Sequence, residues 1–456
     1  MTPLESFLEI AGFIILFYFL SVNGVYALLF FLGAFQVRYR DQELQNEDMS
    51  AIYSSNTFPT ISFLIAMRNE EKHIVHTVES LLHLSYPQKK IFIINDGSTD
   101  TSLQILQKTF QLESIPKTFT DTLPTAYIRQ VFQSESHPEL FVIDKEHAGK
   151  YDALNAGVNA CQEPFFIGCD ADTAFDEEIF RAFLYPLLKD PNLAGLGASV
   201  RIKNGCNLNF NRISTLGFPL HILPAFQTSE YLNSFLARQG WNLLGGNFVI
   251  AGACAIFSTD VVREVGGFRQ SSAEDMEMVV RIHRAMREKK SPYQIRYLPD
   301  PVAWTEAPTT LSELGKQRTR WHLGLLQTLW THRRMLFNPR YGLFGCIAFP
   351  FSLWGEALEP VMELLAFIVI GISWFYGVLN PAFLLLLLLI IWGFNSLLST
   401  GALLIEELSF KCYPSARSLF SMLILSWLQN FGYRQLTIFW RLRAFYRFFT
   451  GYNRWH

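Results

Sequence analysis

Two aspartates separated by one residue, Asp170 and Asp172, follow the apolar run from Pro164 to Cys169. Carboxylates so placed can hold a hard divalent cation against phosphate oxygens. Other chemistry-bearing residues accompany them: Glu70 in Asn69-Glu70-Glu71, Asp96 in Asp96-Gly97-Ser98, Lys150 in His147-Ala148-Gly149-Lys150, and Glu274-Asp275 opening an amphipathic stretch. The plain structural use of Glu274-Asp275 is to cap a helix and complement its dipole. Farther along, Gln317, Arg320 and Trp321 stand at i, i+3 and i+4, one helical face bearing an amide, a cation and a ring, with Arg318 beside it. Such a face could grip a diphosphate and a sugar; its plain use is a membrane-belt tryptophan with snorkelling arginines.

The elements that must position these residues follow from hydrophobic periodicity. Thr60 to Met67 and Lys90 to Ile94 read as buried strands, Glu70 to Leu84 as the helix between them, and Thr101 to Phe110 as the next helix. This βαβ alternation implies a parallel sheet with helices on both faces. Ligands then bind beyond the carboxyl ends of the strands, which is where the acidic clusters fall. Burial explains the apolar strands but gives no reason for acidic residues at successive strand ends.

The flanks are different in kind. Ile10 to Val37 carries no charge and exceeds the roughly 20 residues needed to span a bilayer. It lacks the basic start and small-residue cleavage site of a signal peptide, so it is expected to persist. Glu5 and Glu9 precede it while Arg38 and Arg40 follow it, which places the next domain in the cytoplasm. Ser312 to Met335 reads as an interfacial helix. Leu358 to Leu379, Pro381 to Ile405 and Leu419 to Trp440 are candidate spans, and Tyr341 to Trp354 is short for one. The tail carries Arg434, Arg441, Arg443, Arg447 and Arg454, so it too is expected in the cytoplasm, with an even number of crossings before it. Either Tyr341 to Trp354 contributes to a fourth crossing, or Leu419 to Trp440 lies in the interface and two remain. Glu356, Glu359 and Glu363 sit at helical spacing among apolar residues, where carboxylates either line a polar path or lie at headgroup depth. The expected divisions are an anchor over 1–45, a cytosolic domain over 50–310, the interfacial helix over 311–340, and membrane helices with the basic tail over 341–456.

Composition agrees with that division. Of 456 residues 50% are hydrophobic and only 17% charged, against the roughly 25% usual in soluble domains. A formal charge of -2 provides no global basic field, which excludes nucleic acid as the main partner. The six cysteines show no C-x-x-C spacing and read as free thiols in a reducing compartment.

Taken in order, Arg68-Asn69-Glu70-Glu71, Asp96-Gly97-Ser98, Gly149-Lys150 followed by Ala153-Leu154-Asn155, Asp170-Ala171-Asp172, Gly266-Gly267-Phe268, Glu274-Asp275 and Gln317 to Trp321 resemble the family 2 glycosyltransferases. The resemblance is to the membrane-embedded branch that contains cellulose, chitin, hyaluronan and poly-β-1,6-N-acetylglucosamine synthases. It implies a GT-A fold, an α/β Rossmann-like mixed sheet flanked by transmembrane helices, with a UDP-sugar donor and inversion at the anomeric carbon. Carried over by position, Glu70 and Asp96 would contact the uridine and Lys150 the nucleotide or diphosphate. Asp170 would help bind the donor, Asp172 would coordinate Mg²⁺ or Mn²⁺, and Asp275, after Glu274, would be the general base. Gln317, Arg320 and Trp321, with Arg318, would complete the donor and acceptor site.

Two departures stand out: Ala273 precedes Glu274 where many relatives have threonine, and Tyr151-Asp152 follows Lys150 where small or basic residues are commoner. The short tail leaves no room for a cyclic-di-GMP module, so such regulation would need an auxiliary membrane subunit. The resemblance implies a processive synthase in a bacterial inner membrane, elongating a polysaccharide from a UDP-sugar, UDP-N-acetylglucosamine first and UDP-glucose as the alternative donor, and extruding it through its own membrane helices. The alternative is a transferase that adds one sugar to a lipid acceptor. A binding-only scaffold would have no use for Asp275.

Overall fold

The computed structural model describes residues 3–46, 59–84, 86, 88–175, 179–209, 212–413 and 415–451. The expected domain start at residue 50 and the tail residue Arg454 lie outside them. The chain forms two compact units, one of residues 40–219 and 247–307, the other of residues 1–39, 220–246 and 308–456.

The first unit is built on a mixed sheet. Its centre comprises β1 (Ile61–Met67), β2 (Lys89–Asp96), β5 (Leu140–Lys145) and β6 (Phe165–Asp170), parallel in the order β5-β2-β1-β6. These are the apolar runs of the sequence, and a strand covered on both faces needs apolar residues throughout. The connections are α2 (Ile74–Leu82), α3 (Ser102–Thr109) and α4 (Lys150–Ala160). Outside this centre the sheet is mixed, as the resemblance implies, rather than parallel throughout. β4 (Ile128–Ser134) runs antiparallel to β5, and β11 (Ala255–Ser258) runs antiparallel to both β6 and β8 (Leu193–Ile202). Apolar content marks a buried strand but carries no information on direction. The stretch from Glu70 to Leu84 is helical only from Ile74. Leu64, Ile94, Val158, Phe166, Phe257, Phe268 and Met278 share one core, so helix and sheet positions bury together.

The second unit is helical. Its first helix, Pro3–Asn46, contains the uncharged run and is apolar enough over Pro3–Arg40 to cross a membrane, as is Pro381–Phe410. Both leave large apolar side chains uncovered, among them Phe7, Phe17, Phe31, Leu385, Leu397 and Leu408. Apolar surface on that scale belongs against lipid rather than water. Phe344–Ala357 and Glu359–Phe375 form a pair bent by 42°, so Phe344 to Trp354 belongs to the first arm of a broken helix, while Tyr341 closes a separate tight turn. Polar contacts tie these elements: Tyr18 Oη donates to the Trp354 carbonyl at 2.7 Å, and Asn23 Nδ2 to the Ile390 carbonyl at 2.7 Å. Such bonds hold helices together where lipid offers no hydrophobic drive.

One membrane-side expectation is corrected and two gain detail. Leu419 to Trp440 is not one span: Ala416–Leu428 ends before Gly432, whose φ of 82° no other residue readily adopts, and Tyr433–Thr450 begins a new helix. The expected interfacial helix runs Leu311–Thr331 and ends in a tight turn at Arg333–Met335. It is packed as well as amphipathic, because Leu314 clusters with Phe226, Tyr433 and Trp440 and Thr319 Oγ1 donates to the Trp440 carbonyl at 3.2 Å. Of the carboxylates at helical spacing, Glu359 and Glu363 are paired with arginines. Arg434 Nε donates to both Glu363 oxygens at 3.0 Å, and Glu359 receives Arg434 at 2.9 Å and Arg441 at 2.8 Å. Two arginines read as orientation signals are thus also counterions.

Candidate active site

The carboxyl ends of β1, β2 and β6 lie at one sheet edge, with Met67 opposite Asn95 and Ala66 opposite Asp170. The loops leaving β1 and β2 are laced together. Asn69 N–H donates to Ser98 Oγ at 3.0 Å, Thr99 N–H returns to Asn69 Oδ1 at 2.8 Å, and Glu70 N–H reaches Ser102 Oγ at 2.9 Å. Asn69 holds φ at 57°, a conformation asparagine tolerates through such local bonding.

Asp96 is buried and fully engaged. Oδ1 receives Lys145 Nζ at 2.7 Å and Ala148 N–H at 3.0 Å, while Oδ2 receives Gly149 N–H at 2.8 Å and lies 2.6 Å from His147 Nδ1. Burial works against its charge, yet the Lys145 and backbone hydrogen bonds prevail and hold the carboxyl below the usual range. Asp96 therefore shapes the turn before Lys150. Gly97, at φ 64°, lies where any Cβ would come within 2.9 Å of the His147 nitrogen.

That turn delivers Lys150, the first residue of α4, to the triplet. Its Nζ lies 2.6 Å from Asp170 Oδ1 and 3.1 Å from Glu274 Oε1. Burial alone would lower the ammonium's pKa, but Asp170 and Glu274 outweigh it and raise it. Asp275, in the first turn of α8 (Glu274–Lys289), receives Gly252 N–H on Oδ2 at 3.0 Å and its neighbour Met276 N–H on Oδ1 at 2.8 Å. Burial, then the adjacent Glu274, push its pKa up to about 6. A carboxylate at that value is poised to accept a proton near neutrality.

Asp172 and Glu70 also have raised pKa values, each from burial first and then from crowding among the carboxylates. Lys203 opposes this, with its Nζ 2.8 Å from the Asp172 carbonyl. Among the described residues no group of three or more His, Cys, Asp and Glu side chains could hold a metal ion. The oxygen donors at Asp170 and Asp172 suit a hard cation that takes its other ligands from phosphate and water.

The structure thus brings Lys150, Asp170, Glu274 and Asp275 together, sets Glu70 and Asp172 among the same charges, and leaves Asp96 as the anchor of the Lys150 turn. Gln317, Arg318, Arg320 and Trp321 belong to the helical unit, on Leu311–Thr331. There Arg320 is exposed, and Arg318 lies over the Trp321 ring, 5.0 Å from its centroid, while pairing with Glu230 and Tyr433. Tyr231 flanks the same ring at 6.4 Å between centroids. Sequence reasoning missed Gly252, Lys145, Lys203 and Glu230. Gly252 sits in a run of small residues without a recognisable motif, and an added Cβ there would lie 3.2 Å from Asp275 Oδ2 and 3.6 Å from Lys150 Nζ.

Comparison with known proteins bears on the same regions. The model for glycosyl transferase family 2 matches residues 62–266. A poly-beta-1,6-N-acetyl-D-glucosamine synthase of Staphylococcus epidermidis is 27% identical over 277 residues, covering 59% of this chain and 57% of the relative. The synthase of the same name from Staphylococcus aureus strain N315 is 26% identical over 314 residues, covering 68% of this chain and 64% of the relative. The chain thus spans less than two thirds of these curated relatives. Among solved structures, a mannosyltransferase from Pyrobaculum calidifontis in complex with GDP-Man and Mn²⁺ superposes with a TM-score of 0.50 at 15% identity, over 91% of this chain and 99% of that one, a likeness of fold. The model for glycosyl transferase family group 2 matches residues 165–440, more than half the sequence, and the chain belongs to that family.

Proposed function

We propose that this chain transfers a sugar from a UDP-sugar to a growing β-linked polysaccharide with inversion at the anomeric carbon, and passes the product through its membrane helices. The observation that carries the reading is geometric: Asp275, held by the Gly252 and Met276 amides and raised in pKa by burial and by Glu274, lies beside the Lys150, Asp170 and Glu274 cluster. A sugar-binding module would have no need of a base so tuned. The name shared by the staphylococcal relatives supports UDP-N-acetylglucosamine as donor.

In the proposed reaction an acceptor hydroxyl oxygen forms the new bond to C1 while the bond from C1 to the diphosphate oxygen breaks. Asp275 takes the hydroxyl proton on a carboxylate oxygen, and the electron pair leaves with UDP. Lys150 offers its ammonium to the diphosphate, and Glu274 holds that ammonium in place. Asp172, with Asp170, would hold Mg²⁺ or Mn²⁺, which when bound would supply charge neutralisation for the leaving group. Glu70 and Asp96 border the uridine side, Asp96 by fixing the turn that carries Lys150. Gln317, Arg318, Arg320 and Trp321 would serve the donor and acceptor, with the Trp321 ring stacking on a sugar. The site faces the cytoplasm of a bacterial inner membrane, the acceptor is the polymer end, and an auxiliary membrane subunit would supply regulation.

The test is UDP release by the purified full chain with Mg²⁺ or Mn²⁺ across a panel of UDP-sugars. Release stimulated by one donor, UDP-N-acetylglucosamine first, is the expected result. No release from any donor would remove the reading.

A further inference from the structure

Lys145 ends β5 and is completely buried. An ammonium removed from water is tolerated only where opposite charge and hydrogen bonds replace its hydration. Here the replacement is complete: Nζ donates to Asp96 Oδ1 at 2.7 Å and the Glu146 carbonyl at 2.6 Å, and pairs with Asp152 Oδ1 at 2.7 Å. Each carboxylate organises a different segment. Asp152, in the first turn of α4, receives the Ala126 N–H on both oxygens at 3.1 Å. Asp96 receives the amides of Ala148 and Gly149 at 3.0 and 2.8 Å. Gly149 holds φ at 106°, a conformation that needs external restraint because glycine alone does not select it. One buried cation therefore ties the end of β2, the turn of residues 147–149 and the start of α4.

We propose that Lys145 is a positioning residue of the donor site, holding the turn that presents Lys150 to Asp170 and Glu274. The inference rests on the donor reading of that site. Asp152 is then the second anchor of the same cation. Replacing Lys145 by a neutral chain of similar length leaves two buried carboxylates facing each other, and the turn loses the charge that drew Asp96 beneath it.

The experiment compares wild type, Lys145→Met and Asp152→Asn as the full chain in detergent, measuring the Kd for UDP with Mn²⁺ together with donor KM and kcat. Lys145→Met is expected to raise UDP Kd and donor KM at least about tenfold while kcat changes less than about threefold, the pattern of lost binding geometry without lost chemistry. Asp152→Asn keeps the pair with Asp96 and is expected to raise both constants by a smaller factor. A folded Lys145→Met protein with wild-type UDP Kd and donor KM, or one losing kcat alone, overturns the proposal. If Lys145→Met does not fold, Asp152→Asn decides, and unchanged constants there overturn it. Wild-type protein that binds no UDP would instead overturn the donor reading itself.

Discussion

The Lys150 ammonium and the Asp170 carboxylate stand 2.6 Å apart, so Lys150 and the first acid of the Asp170-Ala171-Asp172 triplet neutralise each other. On the proposed function, a nucleotide diphosphate would compete with this contact for Lys150 and a divalent cation for Asp170. Lys150→Met should accordingly act with opposite signs: Mn²⁺ binding without nucleotide tightens, because Asp170 is freed, and UDP binding weakens by about tenfold or more. Titration of Mn²⁺ by electron paramagnetic resonance and of UDP by calorimetry reads the two effects separately.

Asp275 must be ionised to take a proton, and its pKa is pushed up to about 6. Turnover should therefore be full above that value and fall as pH drops through it. Asp275→Asn should lower kcat by roughly 10²–10⁴-fold with UDP affinity nearly unchanged. Stability moves the other way. A carboxyl whose folded-state pKa is raised contributes stability below its unfolded value, and that contribution is lost as pH rises through the folded one. The asparagine variant should then melt higher than wild type at pH 8, and the gain should shrink toward pH 5. A variant with unaltered kcat would remove Asp275 from the base role.

Gly252 leaves little room for a side chain beside Asp275 and Lys150. Gly252→Ala should displace the Asp275 carboxylate by a fraction of an ångström, lowering kcat by about tenfold to a hundredfold with little change in melting temperature. Steady-state kinetics beside a thermal melt of the purified variant checks both halves.

In the helical unit, Glu363 receives Arg434 at 3.0 Å on each oxygen. Arg434→Met would strand the buried Glu363, at a cost of about 3–5 kcal/mol, and should lower the melting temperature in detergent. Glu363→Gln should lower it less, because Arg434 keeps Glu359 at 2.9 Å. The double variant should recover much of the loss, since a neutral pair strands no charge. Equal loss in the double variant would show that the pair itself is not what stabilises this contact.

Much of this arrangement was legible in the sequence, for reasons that also explain the remainder. The strands Ile61–Met67 and Lys89–Asp96 were visible as apolar runs because both their faces are covered. Lys150, Asp170, Glu274 and Asp275 were visible because charged residues at strand and helix ends have no use in packing. Strand direction was not legible, since β11 is as apolar as the parallel strands of the sheet centre and only its antiparallel register with β6 and β8 separates it. Lys145 lay hidden because a lysine at a strand end ordinarily points to water, and here the partner that buries it, Asp152, belongs to the following helix. The break between Ala416–Leu428 and Tyr433–Thr450 had a local signal in Gln429, Asn430 and Gly432 that an average over apolar content does not register. Arg434 and Arg441 were read through their number, while their geometry gives them carboxylate partners.

The most direct test of the central claim is the product formed by the purified chain from labelled UDP-N-acetylglucosamine, sized on a gel and digested with a β-specific glycosidase. The account predicts a long, glycosidase-sensitive polymer that is absent with Asp275→Asn. A single labelled sugar extracted into organic solvent would contradict it and assign the chain to lipid glycosylation.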